Sequence, residues 1–192
     1  RGPDDEGYWI DSPRGVALGH RRLSIVDLSP AGHQPMVSES GRWVVLLNGE
    51  IYNFPELRLE LESAGRRVLG HSDTEVVLAA VEEWGLDRAL ERLNGMFAFA
   101  FWDREDQCLH LVRDRLGEKP LYYGWCGGAF LFGSELKALR AHTAFEADVD
   151  RDSLAAFLRL GYVPAPHSIY KGVFKLPAAS RLAIRPGNPD RR

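Results

Sequence analysis

The sequence predicts an α+β fold, with strands stacked as two sheets and helices on the outside. Three observations predict it: a buried strand in "RWVVLLNGE", a capped helix in "HSDTEVVLAAVEEWG", and four β-rich runs after the helical block, "MFAFAFWD", "QCLHLVRD", "KPLYYGWC" and "AFLFGSE". Strands on both sides of a helical block read as a layered domain rather than as alternating β/α units.

Taken in order, "RGPDDEG" is a polar turn sequence that begins no element, and it reads as a cut end. In "GVALGHRRLSIVD", alternation around Val16 to Leu18 and Leu23 to Val26 gives two short strands or one bent strand. "LSPAGHQPM" is loop. The strand "RWVVLLNGE" ends in Asn48-Gly49, which by itself is a strong hairpin signal. The residues that follow point elsewhere. Asn53 suits an N-cap, Pro55 suits a first helical turn, and Leu57, Leu59 and Leu61 with interleaved Glu and Arg fit an amphipathic helix, so the turn is expected to join a strand to a helix over 55–64 that Gly65 stops. Ser72 and Glu75 form a capping box for the next helix, which puts Val76, Val77, Ala80, Val81 and Trp84 on one face. A third helix covers 87–93, and the four β-rich runs read as an antiparallel meander. A domain boundary is expected after this, dividing residues 1–142 from 143–192. The second part opens with an N-cap at Asp150 to Ser153, a short helix and a Pro-rich extended segment, and "IRPGNPDRR" is loop-like.

With 192 residues, 45% hydrophobic and 27% charged, the chain can bury a substantial core. A net charge of -3 provides no electrostatic footprint for nucleic acid, and no Lys/Arg cluster marks a phosphate track or a membrane patch. Cys108 and Cys126 lack metal-type spacing, which favours a reducing compartment, and no apolar run approaches a membrane span, so the expected location is the cytoplasm. The six histidines never fall at ligand spacing, and no metal is expected in this chain.

The candidate chemistry lies in short polar stretches. Arg22, at a strand edge, is either a solvated or ion-paired surface group or a bidentate carboxylate clamp. Asp73 stands in the first turn of a helix, where the macrodipole stabilises a carboxylate with or without a ligand. Asn48 and Gly49 either make the turn or supply a side-chain amide and a backbone N–H to one developing oxyanion.

Together, "HRRLSIVD", "NGEIYN", "SDTE", "GMFAFAFWD", "RDRLGEKPLYY" and "SELKAL" resemble, in this order and at these intervals, the glutaminase domain of the asparagine synthetases. That domain is a class II glutamine amidotransferase of the N-terminal-nucleophile hydrolase type. The resemblance runs to about Leu139, and "LRLGYVPAPHSIYKGVFKLPA" looks like the opening of the family's synthetase domain. It implies a four-layer αββα sandwich lacking its first strand. It also implies that Arg22 grips the α-carboxylate of L-glutamine, helped by the backbone of Leu23, Ser24, Ile25 and Val26, that Asn48 and Gly49 form the oxyanion hole, and that Glu50 and Asp73 hold the α-ammonium.

The same resemblance implies a nucleophilic cysteine at a mature N-terminus ahead of "RGPD". Neither Cys108 nor Cys126 fits that role, so these 192 residues alone are expected to be inactive and marginally stable. ATP, Mg²⁺ and aspartate are implied for the synthetase part, with none of these cofactors held by this fragment, and a homodimer is admitted. An amidotransferase with another acceptor, or a non-catalytic glutamine-binding scaffold, shares the same glutaminase motifs.

Overall fold

A computed structural model describes residues 2–24 and 30–186. The first element overturns an expectation. Asp5–Asp11 is a strand, β1, paired along its whole length with β2, Val16–Arg22. A polar stretch becomes a strand here because its partner supplies what it lacks: Glu6 lies opposite Arg21 and pairs with it at 2.8 Å, and the Asp4 N–H continues the ladder to the Arg22 carbonyl. Leu23 and Ser24 follow the end of β2, while Ile25 and Val26 lie outside the described residues.

The short strand β3, Met36–Val37, pairs with the first part of β4, Trp43–Ile51. Trp43 to Leu47 are all buried, as the apolar run requires of a strand covered on both faces. β4 does not stop at Asn48. Its pairing with β5, Gly95–Asp103, continues through Asn48 opposite Ala98, Gly49 opposite Phe97 and Glu50 opposite Met96, ending at Ile51 opposite Gly95. The turn falls at Tyr52 and Asn53, and α1 follows over Phe54–Ser63. Asn53 sits at the N-cap but makes no side-chain cap bond. Its amide donates to the Arg92 carbonyl and its carbonyl oxygen accepts from the Asn94 N–H, tying the entry of α1 to the far end of the helical block.

α1 closes in a Schellman arrangement, with the Arg66 N–H on the Leu61 carbonyl and the Gly65 N–H on the Glu62 carbonyl. α2, Asp73–Trp84, packs on β4, and α3, Leu86–Arg92, completes the block. Ser72 caps α2 by accepting from the Thr74 N–H at 3.1 Å. The other half of the expected capping box differs: Glu75 accepts from the Leu69 and Gly70 N–H groups and so fixes the approach to the helix instead.

The four β-rich runs do not form one meander. β5 pairs with β6, Cys108–Arg113, in a sheet of order β10-β6-β5-β4-β3, whereas β7, Tyr122–Cys126, and β8, Ala129–Gly133, belong to a second sheet. The loop after β6 breaks the series. The Asp114 carboxylate accepts from the N–H groups of Leu116, Glu118 and Lys119, and Arg113 donates to the carbonyls of Gly117, Lys119 and Leu176. This second sheet continues, after α4 at Leu136–Arg140 and α5 at Arg151–Leu160, with β9, Val173–Lys175, on the free side of β7. β10, Arg181–Ile184, ends the described chain. Compact units are formed by residues 1–111 with 183–192, and by 112–182. Among the described residues no helix is long and apolar enough to cross a membrane.

Candidate active site

The site is built in the first unit, along the edge of β4 that faces away from β5. In an antiparallel strand the N–H and C=O of one residue point to the same side, and the side alternates along the chain. Trp43 bonds toward β3, its carbonyl accepting from the Ser38 N–H, and the residues of the same parity follow suit. The β3 pairing stops opposite Val45, and beyond it no strand among the described residues pairs with this edge. Side chains take its place. The Leu47 N–H donates to Gln34 Oε1 at 2.7 Å. The Ile51 N–H donates to Asp73 Oδ2 at 3.0 Å. Gly49 has the same parity, so its N–H points outward between the Gln34 and Asp73 attachments, where an incoming oxyanion could accept it.

Glycine at position 49 is a packing requirement. A Cβ there would lie 2.1 Å from the Met96 carbonyl oxygen and 2.6 Å from the Phe97 Cα, both backbone atoms. Gly95 reciprocates, since a Cβ on it would lie 2.2 Å from the Glu50 carbonyl oxygen. The two glycines let β4 and β5 close together beneath Asn48 and Glu50, which share one face of β4 by the alternation of side chains.

Asp73 is 6% exposed at the first position of α2. Burial pushes its carboxyl above the ordinary range. The Ile51 and Thr74 N–H groups oppose that shift, and the nearby Glu50 charge adds to it. A buried carboxylate beside a second carboxylate favours a cation between them. Thr74 joins the same group: its hydroxyl accepts from Gln34 Nε2 at 3.3 Å and reaches Asp73 Oδ1 at 3.5 Å.

Arg22 is the remaining charged residue expected at the site. It is 8% exposed at the end of β2, and its guanidinium lies so close over Gly32 that a Cβ there would sit 1.9 Å from Nη2. Burial holds the ring of His20, two residues earlier, below the usual imidazole range, with the Arg22 charge contributing and the Leu47 carbonyl opposing. Leu23 is exposed, and the Ser24 N–H is already engaged by Asp4 Oδ2 at 2.8 Å. His33 Nδ1 meets Asp5 Oδ2 at 2.7 Å and holds that carboxyl below its ordinary range.

Of the residues expected from the sequence, Asn48, Gly49, Glu50 and Asp73 therefore share one strand edge and the helix start packed on it, and Arg22 stands at the end of β2, a strand in contact with β4. Sequence reasoning missed Gln34, Thr74 and Gly95. Gln34 lay in a loop without periodicity, and its only signal was a polar amide held between His33 and Pro35 just before a strand.

Both cysteines are buried, Cys108 to 1% and Cys126 to 7% exposure, and burial, with the charge of Glu146, pushes the Cys126 thiol up. Neither has the surroundings of an activated nucleophile.

A family model described as a glutamine amidotransferase domain matches residues 1–191, and the chain belongs to that family. It is 42% identical over 187 residues to the glutamine-hydrolyzing asparagine synthetase 3 of Bacillus subtilis (strain 168), a match covering 96% of this chain and 30% of that protein. It is 39% identical over 204 residues to a putative glutamine-hydrolyzing asparagine synthetase 2 of Methanocaldococcus jannaschii, covering 95% of this chain and 38% of the relative. The chain thus spans about a third of the length of these relatives. Among solved structures, the glutamine phosphoribosylpyrophosphate amidotransferase of B. subtilis, bound to ADP and GMP, superimposes with a TM-score of 0.56 at 21% identity, covering 88% of this chain and 34% of the other. At that identity the likeness shows the fold, and the fold is the α+β type expected from the sequence.

Proposed function

We propose that this chain is the glutamine-handling part of a glutamine-hydrolysing asparagine synthetase, with residues 1–142 forming the amidotransferase domain and 143–192 leading into the synthetase domain. Arg22 takes the substrate α-carboxylate, and Glu50 with Asp73 takes the α-ammonium. Asn48 and the Gly49 N–H donate to the oxyanion formed when the side-chain amide is attacked. The observation that supports this most directly is the outward-facing Gly49 N–H between two attached neighbours on the strand edge, next to a buried carboxylate that favours a cation.

Hydrolysis gives glutamate and ammonia, and the ammonia passes to ATP-activated aspartate. The nucleophile is a cysteine outside these residues, since Cys108 and Cys126 are buried, and the 192-residue chain alone is inactive. ATP and Mg²⁺ act in the synthetase part in this reading. Two free cysteines are in keeping with a cytoplasmic location.

The test is Asn48→Ala in the full-length protein. Glutaminase kcat is expected to fall by roughly a hundredfold or more, as for loss of one oxyanion donor, while asparagine synthesis from added ammonia persists. An undiminished glutaminase rate refutes the assignment.

A further inference from the structure

We infer that Gln34 is a positioning residue that sets both the oxyanion donor and the ammonium-binding carboxylate of the site, an inference that rests on the glutaminase reading above. Gln34 is buried and is bonded to both elements that carry the site. On one side Oε1 accepts from the Leu47 N–H at 2.7 Å, immediately before Asn48 and Gly49; on the other Nε2 donates to Thr74 Oγ1 at 3.3 Å, immediately after Asp73.

The orientation of its amide follows from chemistry. A backbone N–H can only donate, so the atom facing Leu47 is the oxygen, and the amino group must face Thr74. Because Nε2 donates there, the Thr74 hydroxyl acts as acceptor on that side and its own hydrogen is free to turn toward Asp73 Oδ1, 3.5 Å away. The chain of donors therefore runs from Gln34 through Thr74 to Asp73 and favours the charged carboxylate. Burial and the facing Glu50 charge work against that form, and the Ile51 and Thr74 N–H groups support it.

The Leu47 attachment has a separate effect. Where β3 has ended, Gln34 occupies the position of a neighbouring strand at Leu47 alone, which holds the edge in place without covering Gly49. One side chain thus has two functions that substitution can separate. Gln34→Met removes both. Gln34→Glu keeps an acceptor for Leu47 but cannot donate to Thr74, whose hydrogen is drawn away from Asp73. Thr74→Val cuts the second link and leaves the first.

The experiment is steady-state glutaminase kinetics on the full-length protein and these three variants, with thermal unfolding to confirm folding. Gln34→Met is expected to lose at least tenfold in kcat, a part of the roughly hundredfold that an oxyanion donor supplies. Gln34→Glu should recover most of that kcat while raising the KM for glutamine severalfold, and Thr74→Val should also raise KM with kcat falling less than threefold. A merely structural role would lower the unfolding temperature without this division between kcat and KM. A folded Gln34→Met enzyme with wild-type kcat overturns the inference. If Gln34→Met does not fold, the other two variants decide, and equal losses of kcat in both, or no rise in KM in either, overturn it. A folded wild-type protein with no glutaminase activity would overturn the functional reading itself, and this inference with it.

Discussion

Replacing Gly49 by alanine tests the close approach of β4 and β5 directly. The added methyl group would lie 2.1 Å from the Met96 carbonyl oxygen, 2.6 Å from the Phe97 Cα and 3.0 Å from the Met96 carbonyl carbon. All three are backbone atoms of the paired strand, so no side chain can swing aside. Relief requires the strands to part by about an ångström at a point where Val44 to Leu47 and Phe97 to Trp102 are all buried against their surroundings. The expected cost is about 3 kcal/mol, the upper end for overpacking a closely packed interior. Gly19→Ala in β2 is the matched control: its nearest new neighbours are the Tyr8 ring atoms at 3.4 and 3.5 Å, an ordinary contact, and a strand glycine replaced by alanine gains about 0.5 kcal/mol from reduced unfolded-chain freedom. Urea unfolding of the full-length protein measures both, read from the midpoints at constant slope. If the two variants unfold within 0.5 kcal/mol of each other, roughly the resolution of such a comparison, the close-approach argument is wrong.

Asp73→Asn is expected to raise the stability of the unliganded protein above the ordinary carboxylate range while abolishing glutamine binding, a stability gain at the expense of function. The sign follows from the raised carboxyl: its penalty is absent below the ordinary carboxylate range, grows as pH rises toward the elevated folded value and is complete above it, and the amide never incurs it. Denaturation midpoints against pH, with calorimetric titration of glutamine, check both halves. Asp103 behaves oppositely. Burial raises its carboxyl, but the Arg42 guanidinium bonds at 3.0 and 2.7 Å and the Glu105 and Asp106 N–H groups outweigh it, so its stabilisation is present above the ordinary carboxylate range and lost as pH falls through the depressed folded value. Asp103→Ala should cost about 3 kcal/mol at neutral pH, as for removal of one partner from a buried ion pair. Cys108 and Cys126 should resist thiol reagents in the native protein and react promptly in denaturant; rapid native labelling would contradict their burial.

Local signals survived into the structure wherever they were self-contained. Ser72 caps α2 from within its own turn, and the apolar period of Val76 to Val81 needs only a surface to face. Signals that depend on a distant partner misled. The stretch "RGPDDEG" reads as polar turn until Arg21 is placed opposite Glu6, and Asn48-Gly49 reads as a turn because the Met96-Gly95 segment that keeps it in the ladder lies across the helical block. The β-rich runs look continuous because nothing local shows that Asp114 gathers the following N–H groups into a loop. Gln34 was illegible for a related reason: its role depends on the β3 pairing stopping at Val45, two residues short of the Leu47 N–H that Gln34 takes.

The Asn53 side chain, bonded to both Arg92 and Asn94, has one more consequence. The chain leaves the sheet after Ile51 and returns at Gly95, its pairing partner, and the Tyr52 N–H reaches across to the Asn94 carbonyl at 2.8 Å. The helices therefore hang from a neck clasped at its base, like a purse drawn shut. Lengthening α1 or the Gly65 turn would enlarge the purse without moving its mouth, and the strand edge where Gly49 points would be reached by changes that free the clasp or that move Asp73 off the Ile51 N–H.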